Sequence, residues 1–263
     1  MKILVIMGSP RKGNTYKAVK KIEKFMQSLG DVEFEYLMLK DANLSQCRGC
    51  YMCIMEGEDH CPLKEESSVL EQKMHAADGV IFATPVYVMN VSGSMKTFID
   101  HFAYVCHRPR FFDKKALLLS TTGSLGLKRV LDYLKFIVGT WGFEVSHSVG
   151  LVIPARQISK RNEQENDRKL EKAALIFYNS IMKKRHSPEL IDVLAFHFQK
   201  VSFGKPGYTA PADYAYWKEK GWLNPKAKYY VDVPVNPVYN AIGLISEQIM
   251  KRKMRKEMAE LRK

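Results

Sequence analysis

The chain has 263 residues, 46% hydrophobic and 26% charged, with Lys and Arg outnumbering Asp and Glu 41 to 28. That length and balance suit one or two folded domains with a full apolar core and argue against disorder, a fibre or a membrane channel. The formal charge of +13 is compatible with nucleic acid, anionic lipid, or only an anionic cofactor and acidic partners, and charge alone does not choose among them.

The opening MKILVIMGSP holds an apolar run too short for a signal-peptide core, and it leads straight into a glycine loop. A cytoplasmic protein is therefore expected. Eighteen consecutive apolar residues occur nowhere, so no membrane-spanning helix is expected.

KILVIM, residues 2–7, reads as a central parallel strand covered on both faces. A helix follows from about Thr15, because Val19, Ile22, Met26 and Leu29 recur at helical spacing before Gly30. A second strand is expected over 32–39. After a cysteine-rich loop come a helix near 67–77, a strand over 79–84, a helix from about 94 to 105, and a strand over 116–121. A helix near 128–138, a strand near 144–151 and a long polar-faced helix over 163–184 complete the series.

Strand and helix alternating in this way imply a parallel sheet with helices on both faces. Five strands suit a flavodoxin-like, doubly wound α/β sheet of order 2-1-3-4-5. Its ligand crevice would lie beyond the carboxyl ends of the strands, where the loops after Met7, Thr84 and Thr121 meet. The first domain is expected to span 1–185 and to carry the cysteine loop 47–61. Residues 186–263 form an aromatic, proline-containing and basic extension, expected to be mainly helical.

GSPRKGNT after the first strand has the glycine spacing of a nucleotide triphosphate loop but carries Asn14 where the phosphate-binding lysine belongs. The dinucleotide pattern fails as well, because position 10 is proline. A loop at a helix N-terminus still offers backbone N–H groups to an anion. Ser9, Asn14 and Thr15 can add side-chain donors, and Arg11 a charge-assisted contact. That inventory matches one phosphate monoester, which favours flavin mononucleotide (FMN). Taken alone, the loop leaves open a glycine turn with a polar helix cap and no ligand. TPVY, residues 84–87, offers flat apolar contacts and free backbone groups to a ring, and TTGS, residues 121–124, offers a third small polar loop.

GSPRKGNT, TPVYVMNVSGSMKTFIDH and RPRFFDKKALLLSTTGS together resemble the NADPH-dependent FMN reductase and multimeric flavodoxin superfamily over about residues 2–151. The resemblance implies that Ser9, Arg11, Gly13, Asn14 and Thr15 hold the flavin phosphate, while Thr84, Pro85, Val86, Tyr87, Thr121, Thr122 and Gly123 surround the ring. Lys96 and Asp100 also match the helix pattern and are read as structural.

QCRGCYMCIMEGEDHCP places Cys47, Cys50, Cys53 and Cys61 in fifteen residues, spaced CxxCxxCx7C. In a reducing compartment, metal ligation explains such a cluster better than disulfides. The last gap is longer than in bacterial ferredoxins. Within the flavin superfamily, a compact cysteine motif after the second strand resembles the iron–sulfur flavoproteins, which implies a [4Fe–4S] cluster on these four residues. Zinc or unligated thiols stay open as alternatives. Cys106 lies apart and reads as a packed thiol. His60 could assist the cluster or sit in solvent, and His101, His107 and His197 have no triad-like context.

The resemblance implies an FMN-dependent oxidoreductase that passes electrons between the cluster and FMN, with NAD(P)H or a ferredoxin as donor and a homodimer or homotetramer as the assembly. The alternatives are an NAD(P)H-dependent FMN, quinone or azo reductase without a functional cluster, and a non-enzymatic flavin electron carrier. No catalytic proton donor is assigned, and no nucleic-acid partner is expected. Tyr208, Tyr214, Tyr216, Trp217 and Trp222 are read as the core of the extension. Ile242, Ile245 and Ile249, ahead of the basic run from Lys251, are read as a core or subunit contact before a membrane-surface one.

Overall fold

The computed structural model describes residues 1–154, 159–183, 185–205 and 209–260. Tyr208 and the last three residues of the basic run lie outside them. The chain divides into two compact units. One comprises Met1–Gly49 with Pro62–Lys184, the other Cys50–Cys61 with Arg185–Lys263.

The first unit contains β1 (Lys2–Met7), α1 (Asn14–Leu29), β2 (Glu33–Met38), and then, beyond the cysteine segment, α3 (Lys64–Ala76), β3 (Gly79–Pro85) and α4 (Gly93–His101). It continues with β4 (Lys115–Thr122), α5 (Leu127–Thr140), β5 (Glu144–Val152) and α6 (Lys160–Ile181). The strands form one parallel sheet in the order β2-β1-β3-β4-β5, the flavodoxin-like order expected.

Strand periodicity sends alternate side chains to opposite faces. Ile3, Val5, Met7, Ile81, Ala83, Leu117 and Leu119 join Val19, Ile22 and Met26 of α1 and Leu170, Ala174 and Phe177 of α6 in one core. On the other face Phe82 packs among Phe98, Trp141 and Phe143 at centroid distances of 5.5–6.5 Å. With both faces covered, the inner strands need the unbroken apolar runs seen in the sequence. The expected helix over 94–105 is broken at His101, after which residues 103–106 form a 3-10 turn.

Glu71 of α3 ties that turn to the chain leading into β4. It accepts hydrogen bonds from the Tyr104 hydroxyl at 2.6 Å and from Arg110 Nη1 at 2.9 Å. Burial pulls its carboxyl upward, but His75, Arg110 and Tyr104 outweigh this and hold it at about 2. A carboxylate depressed in the folded state stabilises above its ordinary value of about 4.3, and that contribution disappears as pH falls toward the folded value. Glu71→Gln is therefore expected to cost about 2–3 kcal/mol at neutral pH. Thermal melts from pH 7 to 2 should show the difference from wild type closing below about pH 4.

The second unit holds α2 (Met52–Met55), a 3-10 turn at Glu58–His60, α7 (Leu190–Phe203), α8 (Pro211–Glu219) and α9 (Pro237–Glu260). Its core is aromatic. Trp217 packs against Phe196, Trp222 and Tyr230 at 5.9, 5.0 and 5.7 Å, and the indole of Trp222 donates to the Tyr230 carbonyl at 2.7 Å. Trp217 and Trp222 thus take the core role read from the sequence, whereas Phe196 and Tyr230 join them unannounced.

Ile242, Ile245 and Ile249, read as a core or subunit contact, are exposed within the chain, so the core half of that reading is corrected. Helix α9 instead turns Gly243 and Glu247 toward α7, where the His197 ring lies against Gly243 and its Nδ1 is 2.6 Å from Glu247 Oε1. His197 therefore has a carboxylate partner that the sequence did not reveal. Among the described residues no helix is long and apolar enough to cross a membrane.

Candidate functional site

The loops after β1, β3 and β4 are fastened to one another at the carboxyl end of the sheet. The Gly8 N–H donates to the Ala83 carbonyl at 2.8 Å. The Gly8 carbonyl accepts from both Ser92 Oγ at 2.6 Å and Ser94 Oγ at 3.0 Å. A larger residue at Gly8 would force its neighbours to move, because a Cβ there would lie 2.9 Å from both Met95 Cβ and Ser92 Oγ. Ser92 also caps α4 by accepting from the Met95 N–H. The N-cap preference for serine is the signal that could have found it in SGSMK.

Between Gly8 and α1 the chain makes a tight loop in which Ser9 Oγ donates to the Arg11 carbonyl at 2.7 Å. Gly13 is the N-cap of α1. It supplies no side-chain cap, and no acidic residue occupies the first turn. The N-terminal N–H groups and the positive end of the helix dipole are therefore left for an anion. Arg11 is exposed and has no acidic partner among the described residues, and its side chain passes beside Gly13. Thr15 is buried, its hydroxyl 2.7 Å from that of Thr121. That bond joins the start of α1 to the end of β4.

The third strand leaves the sheet through buried Thr84, whose hydroxyl accepts from the Ser92 N–H at 3.1 Å. The Val86 N–H donates to the Thr121 carbonyl at 2.8 Å. Residues 87–90 then form a two-residue hairpin, closed by Tyr87 N–H to the Asn90 carbonyl at 2.8 Å and the reverse bond at 3.0 Å. Its central residues, Val88 and Met89, have φ of +47° and +63°, a left-handed conformation that costs L-residues about 1–2 kcal/mol each. After β4, Thr122 Oγ1 donates to the Leu125 carbonyl at 2.6 Å and accepts from the Ser124 N–H, while Gly123 borders open space.

Ser9, Arg11, Gly13, Asn14 and Thr15 therefore share one loop and helix end, and Thr84–Tyr87 and Thr121–Gly123 are joined to it by hydrogen bonds. Lys96 and Asp100 pair with each other on α4 at 2.5 Å. A neighbouring cleft of about 360 Å³ between α1, β5 and α6 is rimmed by Asn14 and Lys17 and floored by Ala18, Leu151 and Ile153. None of residues 84–87 and 121–123 borders it.

The NADPH-dependent FMN reductase family model matches residues 1–155. The chain belongs to that family. It is 30% identical over 227 residues to an iron-sulfur flavoprotein of Archaeoglobus fulgidus, a match covering 85% of this chain and all of the relative. An iron-sulfur flavoprotein of Clostridioides difficile is 28% identical over 74% of this chain and 86% of its own. In fold the flavoprotein resembles an FMN-dependent NADH-azoreductase from Bacillus anthracis, solved in complex with FMN, at a TM-score of 0.51 and 17% identity. That likeness covers 66% of this chain and 97% of the azoreductase. This family member is an FMN-dependent oxidoreductase that resembles iron-sulfur flavoproteins.

Its cysteines present the right donors without a finished geometry. Cys47 and Cys50 are exposed, Cys53 and Cys61 half-buried, and all are free of disulfides. Among the described residues no three or more His, Cys, Asp or Glu converge as a metal-binding group. Cys47 belongs to the sheet-bearing unit and the other three to the helical one. Cys106 is a different kind of thiol, pushed up by burial.

Proposed function

We infer that Ser9, Arg11, Gly13, Asn14 and Thr15 bind the FMN phosphate, that Thr84–Tyr87 and Thr121–Gly123 line its ring, and that Cys47, Cys50, Cys53 and Cys61 ligate a [4Fe–4S] cluster. The observation that carries the flavin site is the uncapped, acid-free N-terminus of α1, tied through Thr15 and Gly8 to the two ring loops. Flavin when bound supplies two-electron and one-electron chemistry, and a cluster supplies one-electron transfer. The chain's own part is to hold the phosphate on backbone N–H groups and Arg11, to fix the ring loops through Ser92 and Thr121, and to offer four thiolates.

NAD(P)H or a ferredoxin is the proposed donor, and a homo-oligomer the proposed assembly. An acidic electron carrier would be steered by the +13 charge. The iron-sulfur names of the relatives in Archaeoglobus fulgidus and Clostridioides difficile support the cluster. Four cysteines within one short stretch of chain, none in a disulfide, support it independently.

Anaerobic purification with a visible spectrum and analysis of flavin, iron, sulfide and zinc tests both assignments. Cys50→Ser is expected to lose iron and sulfide while keeping FMN. Wild-type protein that holds FMN, contains no iron and is rapidly reduced by NADPH would instead identify a cluster-free reductase.

A further inference from the structure

Helix α9 keeps one apolar face exposed. Val238, Ile242, Ile245 and Ile249 recur at intervals of four, three and four residues, which sets them along one side of the helix. They are 62, 39, 60 and 61% exposed. Gly243 and Glu247, which meet α7, lie on the opposite side. The same spacing continues from Ile249 to Arg252 and Lys256, so the apolar stripe runs directly into a basic one. Arg252, Lys253, Arg255 and Lys256 are all exposed, while Lys251 reaches back to Glu247. From Pro237 to Lys256 the helix carries five basic residues and one acid, and that acid, Glu247, is buried. Over this span the outward surface of α9 combines hydrocarbon with positive charge and nothing negative.

We propose that α9 is a membrane-surface helix, laid on an anionic lipid bilayer with its valine and isoleucine stripe at the acyl boundary and residues 252–256 among the lipid phosphates. A helix lying in the plane of a bilayer needs an apolar face for the acyl boundary and Lys or Arg for anionic headgroups. Both are present here, on one exposed surface. Other occupants would use only half of it. A second copy could pack on the stripe, whose spacing is that of a coiled-coil seam, but it would leave the charge unanswered. Parallel pairing would stack Arg252 and Lys256 on their own counterparts. Antiparallel pairing about the middle of the stripe would carry the basic end past the helix start toward residues 231–236, whose one acid is Asp232. A nucleic acid would answer the charge through its phosphates and leave four aliphatic side chains in water. The inference does not depend on the flavin assignment.

The test is co-sedimentation of the full chain with phosphatidylcholine vesicles, with and without about one-third phosphatidylglycerol. Binding to the anionic vesicles is expected to be at least about tenfold tighter than to the neutral ones, and to fall about tenfold between about 0.1 and 0.5 M salt. Ile242→Ser, Ile245→Ser and Ile249→Ser together should weaken it by about tenfold or more. Arg252→Gln, Lys253→Gln, Arg255→Gln and Lys256→Gln together should do the same. Both variants should melt with wild type, because every altered side chain is exposed. If the triple serine variant melts lower, Ile245→Ser alone is read in its place, with a loss of about threefold expected. Wild type that does not sediment with the anionic vesicles, or binds both kinds equally, overturns the proposal. So does a serine variant that binds like wild type while the glutamine variant does not, since that marks a general polyanion site. A mass by sedimentation velocity that drops in the serine variant would show a second copy seated on the stripe, and overturns it as well.

Discussion

Gly8→Ala is expected to weaken FMN binding by about a hundredfold or more, a loss near 2.7 kcal/mol, in a protein that still folds. The added methyl would meet Met95 Cβ and Ser92 Oγ at 2.9 Å, and neither neighbour is the free end of a long side chain. Met95 is fully buried, and Ser92 is held by Thr84, the Met95 N–H and the Gly8 carbonyl. Overpacking of this kind costs about 1–3 kcal/mol and is relieved by backbone movement. The movement falls on the junction between the loop proposed to hold the phosphate and the loop proposed to line the ring, so both ends of the flavin would lose alignment together. Gly13→Ala supplies the contrast. Gly13 has φ of −89°, and the nearest atom to an added Cβ is Arg11 Nε at 3.4 Å, while the N–H groups of α1 remain. Its FMN affinity should fall less than about threefold. Equal losses at the two positions, measured by flavin fluorescence titration, would show that close approach at Gly8 does not set the site.

The contrast also shows which parts of the site were legible in the sequence. Strand β1 and the loop from Ser9 to Thr15 follow from local pattern, because a continuous apolar run and a glycine loop before a periodic helix are each written in adjacent residues. The bonds that tie this loop to the chain after β3 and to the end of β4 are written nowhere locally. Ser92 reaches Gly8 across 84 positions, and Thr15 meets Thr121 across 106. The hairpin at Val88 was hidden for the opposite reason, since Val-Met carries no turn signal and its conformation is imposed by the strands and by Gly126. In α9 the apolar period marks a face left exposed within the chain and not the one packed in its unit. The side of the helix packed in its own unit carries Gly243 and Glu247, where a glycine accommodates a ring and a carboxylate meets charges, so hydrophobicity did not mark it.

That packed face leads to the expectation that Glu247→Ala destabilises the helical unit by about 3–5 kcal/mol, the range for stripping one partner from a buried charge group. Glu247 is 4% exposed. One of its oxygens lies 2.6 Å from His197 Nδ1 and 3.7 Å from Lys200 Nζ, while the other accepts from Lys251 at 2.9 Å. Its removal would leave His197, which is fully buried, and Lys200, which also donates to the Ala227 carbonyl, without their carboxylate. Burial pulls the Glu247 carboxyl upward, but Lys251, His197 and Lys200 prevail and hold it below the usual carboxylate range. The stability it contributes is therefore present above about pH 4.3 and is lost as pH falls through the lower folded value. Burial pushes Lys200 the other way, down from the usual lysine range despite the carboxylate beside it, so the pair is held together against desolvation from both sides. Because the cost comes from uncompensated charge more than from lost volume, Glu247→Gln should be nearly as damaging as alanine. Replacing His197, Lys200 and Glu247 together by apolar residues of similar size should recover much of the loss. Thermal and urea unfolding followed by tryptophan fluorescence in a Trp141→Phe background, where only Trp217 and Trp222 of that unit report, would test this. A glutamine variant as stable as wild type would mean that the carboxylate's charge contributes little to holding α9 on α7.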